Sequence, residues 1–213
     1  MHFDYEKDPL AIEQESFRQI RELTDLTSLT QDEAQVAMRL IHSCGDPQIM
    51  TQLRFTSGAV DAGLAAIRAG APVLCDVEMV RHGLTKRMLE TPAHCFLNAP
   101  ETPDLAKARG ETRCMAALEL WRPLLADSVV LIGNAPTALF RLLEMVRDGA
   151  PRPALVIGMP VGFVGAAESK DALWRHCGEL GLQAIVLLGR QGGSALTASA
   201  FNALLRISRG IYF

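Results

Sequence analysis

The apolar positions of this chain change rhythm along its length. Early on they recur at helical spacing. In IEQESFRQIREL (12–23), Ile12, Phe17, Ile20 and Leu23 fall on one stripe, which predicts an amphipathic helix. In TSLTQDEAQVAMRLIHSCGDP, the residues Ala34, Ala37, Met38 and Ile41 make the next stripe. Thr30 with Glu33 three residues on is a capping-box signature, Gly45 suits a helix end, and Pro47 forbids continuation. His42 therefore falls in the last turn of a helix of roughly three turns. SGAVDAGLAAIRAGAP (57–72) predicts a third helix, stopped by Gly and Pro.

Further along, three apolar runs each stop at a glycine and pass into a helical pattern: SVVLIGNAPTALFRLLEMV, PALVIGMPVGFVGAAESKDALW and QAIVLLGRQGGSALTASAFNALL. The closing glycines, Gly133, Gly158 and Gly189, are spaced for a repeated strand, loop and helix. The runs are continuous rather than alternating, as strands buried on both faces are. APVLCDVEMV (71–80) and HCFLN (94–98) are two further strand candidates, and ETRCMAALELWRPLLAD (111–127) predicts a helix. The pattern predicts an α/β fold: an open, mainly parallel sheet of about five strands, helices on both faces, and a helical N-terminal segment. No linker-like stretch divides it, so 1–213 is expected to be one domain.

Composition narrows the function. Hydrophobic residues make up 49% and charged residues 21% of 213, enough for one sizeable core. A formal net charge of −3 argues against nucleic acid or an anionic membrane as the main partner, because both need a basic face. MHFDYEKDPL is charged and unlike a secretory signal, and no apolar stretch reaches the ~18 residues of a membrane span, so a cytoplasmic protein is expected. Five scattered cysteines with no CxxC pair point to free thiols, not to a disulfide framework or a metal site.

Ligands of open α/β sheets bind beyond the carboxyl ends of the strands. Here those ends carry GNAPTA, GMPVGFVGAAESK and GRQGGS. Glycines admit a close ligand and helix N-termini favour negative groups, so the loops suit an anionic molecule. Neither GxxxxGK[ST] nor GxGxxG occurs, which counts against a nucleotide-binding oxidoreductase on a similar sheet.

RLIHSCGDP, GNAPTALF, GMPVGFVGAAESK and GRQGGSA together resemble the precorrin-8X methylmutase family of corrin-ring biosynthesis, over about residues 10 to 205. The resemblance implies a homodimer that moves a methyl group from C-11 to C-12 of a tetrapyrrole, with no organic cofactor and no metal needed for the chemistry. It implies His42 as the catalytic residue. Gln191 stands where the family often has a basic residue.

Histidine suits proton donation to a ring nitrogen near neutral pH, and a helix C-terminus favours its protonated form. Its plainer role would be to cap its own helix. The resemblance implies a substrate with many carboxylates, so positive charge must be concentrated locally. Arg39, Lys86, Arg87, Arg113, Lys170 and Arg190 are the candidate donors, with Arg39 and Arg113 favoured by the resemblance. The resemblance implies that Ser16 and Thr85 are polar positions of the pocket. Asn134, Thr137, Gly162 and Phe163, in and beside the glycine loops, complete the expected pocket. A partner subunit is expected to close the second face of the ring, with Arg113 and HGLTKR (82–87) crossing over. The rival reading is a non-catalytic corrinoid carrier. Transient hand-over to neighbouring pathway enzymes is expected, and the ring could be metal-free or cobalt-bearing.

Overall fold

A computed structural model describes residues 1–213. The elements follow in chain order: α1 (Pro9–Leu23), α2 (Gln31–Cys44), β1 (Leu53–Phe55), α3 (Ala59–Arg68), β2 (Val73–Cys75), α4 (Glu78–Gly83), α5 (Thr102–Arg109), α6 (Arg113–Ala117), β3 (Val129–Ile132), α7 (Pro136–Arg147), β4 (Leu155–Gly158), α8 (Ala166–Leu180), β5 (Ala184–Leu187) and α9 (Ser194–Ile207). The sheet order is β1-β5-β4-β3-β2, with β2 to β5 parallel and β1 antiparallel to β5. This is the expected open, mainly parallel five-stranded sheet.

Both sheet faces are covered, and the strands alternate between two cores. Val129, Leu131, Leu155, Ile157, Ile185 and Leu187 face the core beneath α2, α3 and α9. Val130, Ile132, Val156, Ala184 and Val186 face the core beneath α7 and α8, where Trp121 is fully buried. Continuous apolar runs were therefore the correct signature of strands wetted on neither side. No helix is long and apolar enough to cross a membrane.

Several elements differ from expectation, each for a physical reason. The strand expected over 71–80 lasts only from Val73 to Cys75; at Asp76 the chain turns out of the sheet and re-forms as α4. Over 94–98 a single parallel bridge, Leu74 to His94, replaces a strand. The helix expected over 111–127 is α only to Ala117 and then tightens to a 3-10 turn over Leu118–Leu124, since Pro123 removes a backbone donor and crowds the carbonyl a turn earlier. On α1 the buried stripe narrows to Phe17 and Ile20; Ile12 is 45% and Leu23 69% exposed, because α1 packs chiefly against α2. Strand β1 escaped sequence reading: three residues, one an arginine, carry no periodicity.

Candidate active site

His42 occupies the expected place, the last turn of α2. Thr30 and Glu33 form the full capping box at the start of that helix, and Gly45 ends it at φ 69°. The imidazole is exposed and lies on the buried Phe17 ring, centroids 5.0 Å apart and planes 21° from parallel. Its pKa is lowered, first by partial burial and then by the Arg39 charge; Glu13 opposes this weakly. This direction runs against the bias toward imidazolium expected from the helix terminus: desolvation and a nearby guanidinium both disfavour the charged form.

α9 gathers the parts. Ser43 shares a 2.7 Å hydrogen bond with Ser199. One turn along α9, the Asn202 amide donates to the Gly83 carbonyl at 2.9 Å and accepts from the Thr85 N–H at 2.8 Å. Gly83 lies so close to α9 that a Cβ there would meet Ala198 Cβ at 2.8 Å. The end of α2 that carries His42 and the 82–87 segment are therefore both held against α9. Beside that segment a cleft of about 320 Å³ is lined by Arg81, His82, Lys86 and Thr91, among others. Arg81 is neutralised by Glu78 at 2.6 Å, whereas Lys86 and Arg87 are exposed.

The strand-end loops meet the first turn of the same helix. A Cβ on Gly133 would strike Thr197 Oγ1 at 2.6 Å and Ser194 Cα at 3.0 Å. Gly192, at φ 157°, passes under β4, where a Cβ would lie 2.2 Å from the Met159 carbonyl. The Gly193 N–H donates to that carbonyl at 2.8 Å, and the Gly162 N–H donates to the Arg190 carbonyl at 3.2 Å. Phe163, 88% exposed, stands out from this laced pair of loops, and the Arg190 guanidinium sits 5.9 Å from its ring centre. An exposed flat ring with a cation over it suits a flat, anionic molecule.

Two expectations about these loops change. The GNAP turn is indeed a nest of backbone N–H groups, but the chain fills it itself. Asp76, 2% exposed, accepts from Gly133 N (3.1 Å), Asn134 N (2.8 Å) and Ala135 N (2.8 Å). Burial pushes the Asp76 pKa up and those N–H bonds pull it back. The nest is not open to a ligand; what it offers outward is the exposed Asn134 side chain. Lys170, expected to offer its ammonium to a ligand, is fully enclosed and donates to the Gln191 carbonyl at 2.5 Å, with its pKa lowered to about 8 by burial. It ties one loop to the next.

The remaining predicted residues are placed as follows. The exposed Arg113 donates to the Leu97 carbonyl (2.9 Å) and to Asn98 Oδ1 (2.7 Å), and so pins the 97–98 turn. Thr137 Oγ1 is 2.9 Å from Thr112 Oγ1, joining α7 to the start of α6. The Ser16 hydroxyl is spent on the Ile12 carbonyl of its own helix at 2.7 Å. Arg39 is half-buried without a carboxylate within ion-pair distance; its pKa is lowered by burial and by Arg206. None of Arg39, Lys86, Arg87, Arg113, Lys170 and Arg190 joins any of the thirteen ion pairs, which run from Arg18 to Arg206. Sequence reading missed Asp76, Ser199 and Asn202. A carboxylate directly after an apolar strand, and an asparagine inside an apolar helix, were the available signals.

Loops at the carboxyl ends of parallel strands, a seated histidine and cations without counter-ions define a small-molecule enzyme of the open-sheet α/β class. Comparison with known proteins gives the family. A family model described as "CbiC: Precorrin-8X methylmutase" matches residues 11–207. A precorrin-8X methylmutase of Sinorhizobium sp is 52% identical over 206 residues, covering 96% of this chain and 97% of its own. One from Pseudomonas aeruginosa is 49% identical, covering 94% and 97%. A cobalt-precorrin-8 methylmutase of Methanocaldococcus jannaschii is 32% identical, covering 86% and 84%. Among solved structures, the precorrin-8x methyl mutase of Thermus thermophilus superposes with a TM-score of 0.83 at 40% identity, covering 94% of this chain and 98% of that one. The chain belongs to the precorrin-8X methylmutase family and is an isomerase of cobalamin biosynthesis.

Proposed function

We propose that this enzyme converts precorrin-8X to hydrogenobyrinic acid by moving the C-11 methyl group to C-12, a formal 1,5-sigmatropic shift, with His42 as the acid. The observation that carries the reading is the pairing of an exposed, ring-seated imidazole with the counter-ion-free guanidinium of Arg39, one turn earlier on α2. A substrate carboxylate on Arg39 neutralises that guanidinium and so removes the lesser of the two causes that lower the His42 pKa, burial being the larger. An anionic group bound there thereby favours the protonated imidazole. Imidazolium then donates that proton, or a strong hydrogen bond, to a ring nitrogen and draws electron density from C-12. The methyl group migrates with its bonding pair, and the proton returns to His42, so no atom is gained or lost. Arg113, Lys86, Arg87 and Arg190 hold carboxylates, Phe163 lies against the ring, and Thr85, Asn134 and Thr137 offer hydrogen bonds; Lys170 acts from behind by fixing Gln191.

The relatives named for precorrin-8X, at 52% and 49% identity, favour the metal-free ring over the cobalt-bearing one, at 32%. The cleft beside residues 82–87, about 320 Å³, is too small for a tetrapyrrole. That supports a two-fold homodimer, in which Arg113 and the 82–87 segment of one subunit close over the ring held by the other, and from which product passes to the next pathway enzyme; we place it in the cytoplasm. Incubating purified protein with precorrin-8X, and following absorption and product mass, tests the reading. Stoichiometric binding with no turnover would leave a corrinoid carrier, and turnover of the cobalt form alone would move the enzyme to the other branch.

A further inference from the structure

Residues 212–213 lie along one face of α2. Tyr212 donates its hydroxyl to Asp32 Oδ1 at 3.0 Å, the Phe213 N–H donates to Gln35 Oε1 at 2.8 Å, and the Phe213 ring lies 5.5 Å from the Arg39 guanidinium. Asp32, Gln35, Arg39 and His42 succeed one another at steps of three and four, so they form a single stripe. The tail occupies the first three positions, and the fourth is the imidazole. Gln35 is 6% exposed, so a buried amide is committed to holding this segment.

The tail reaches His42 through Phe17. The Phe213 ring stacks on Phe17 with centroids 3.7 Å apart and planes 13° from parallel, and Phe17 stacks on His42. Arg206 of α9 lies 4.4 Å from the Phe213 centroid. Arg206, Phe213, Phe17 and His42 thus form one ladder drawn from α9, the tail, α1 and α2, of which only His42 is exposed. Phe17 is only 2% exposed, and the Phe213 ring stacked against it is part of what covers it. Removing that flat ring opens the packing behind the seat of the imidazole.

We propose that Phe213 is a positioning residue of the reaction: through Phe17 it fixes the plane of the His42 imidazole, and with its own face it holds the Arg39 guanidinium beside it. This rests on His42 being the acid. A segment that merely glued α1 to α2 would need apolar volume and not a flat ring, and that difference is testable. The charged groups around the imidazole are Arg39 on its own helix, Glu13 on α1 and, next to both of these, Arg206 on α9. Loss of the stacked ring loosens Phe17 and admits water to His42, so its pKa moves up toward the ordinary value.

The test compares Phe213→Ala, Phe213→Leu and Phe213→Tyr in the full chain. The His42 pKa is read by NMR titration, with kcat and KM on precorrin-8X measured alongside. The expected result is a raised His42 pKa and a kcat lowered roughly tenfold to a hundredfold in both Ala and Leu variants, and wild-type behaviour in the Tyr variant. A Leu variant with unchanged His42 pKa and unchanged kcat would overturn the proposal. The acid reading fails separately, if His42→Ala turns over at nearly the wild-type rate; the seat itself is still judged from the imidazole pKa.

Discussion

The Asp76 carboxylate lies 2.8 Å from the backbone nitrogen of Asn134, so an exposed side chain at the rim of the site is held from below by a buried acid. The same carboxylate also takes the Gly133 and Ala135 N–H groups. Asp76→Asn replaces an acceptor with a donor facing donors. Leaving buried N–H groups unpaired costs about 1–3 kcal/mol each, so the variant is expected to lose about 2–4 kcal/mol of stability. Urea denaturation measures this, and a loss under about 0.5 kcal/mol would contradict the role given to the carboxylate.

His42→Ala is expected to bind substrate nearly as well as wild type while losing about 10²–10⁴ in turnover, the usual worth of general acid catalysis. Single-turnover kinetics separate the two effects. Retention of more than about a tenth of the rate would remove His42 from the chemistry.

The pH dependence follows from the lowered His42 pKa. Because the protonated form acts, kcat/KM should fall as pH rises through a value below the ordinary ~6.5 of histidine. Arg39→Gln removes one of the two causes, so the falling limb should move to higher pH even though binding weakens. Stability runs the other way. The unfolded chain takes the proton first, so lowering the pH below about 6.5 costs stability until the folded imidazole is protonated too. A limb that stays in place in the Arg39 variant would show that Arg39 does not act on the imidazole.

Arg113→Ala should raise KM about tenfold with little change in kcat, since a carboxylate contact serves ground and transition states alike. Mixing Arg113→Ala with His42→Ala subunits, with exchange demonstrated, should restore activity, because some heterodimers then carry one intact shared site. No recovery would place each site within a single chain.

Lys170 is expected to show itself at alkaline pH. Its folded pKa of about 8 lies below the ~10.4 of an unfolded lysine. The folded chain sheds its proton first, and this group adds stability as pH rises between those values. Lys170→Met keeps the stem and loses the ammonium. The gap between wild type and variant in urea midpoint should therefore widen in favour of wild type from pH 7 to pH 9.5, and a constant gap would count against a buried, proton-shedding lysine.

The parallel strands could be read from sequence because burial on both faces writes an uninterrupted apolar run, as at Val129–Ile132, and a glycine marks each exit. His42 was readable because caps at both ends bound its helix. What sequence hid was long-range and polar. Asp76 looked like part of a strand because its partners lie 57 to 59 residues away. Arg113 and Lys170 were visible as cations, but nothing local says that one pins a turn and the other is sealed under Gln191. Phe213, at the end of a short unpatterned stretch, carried no periodic signal; its meaning lies in Phe17, on the first helix.

α9 also sets an order in time. Ser43 and Ser199 are separated by 156 residues, and Gly83 and Asn202 by 119, so the bracket that joins the two halves of the site is translated long after both of them. A nascent chain carries His42 and the 83–85 turn early, but has nothing to hold them together until residues 194–207 have left the ribosome. Contacts this distant in sequence form slowly. Until then the apolar sheet face that α9 covers stands open, and exposed apolar surface of this kind is prone to aggregation.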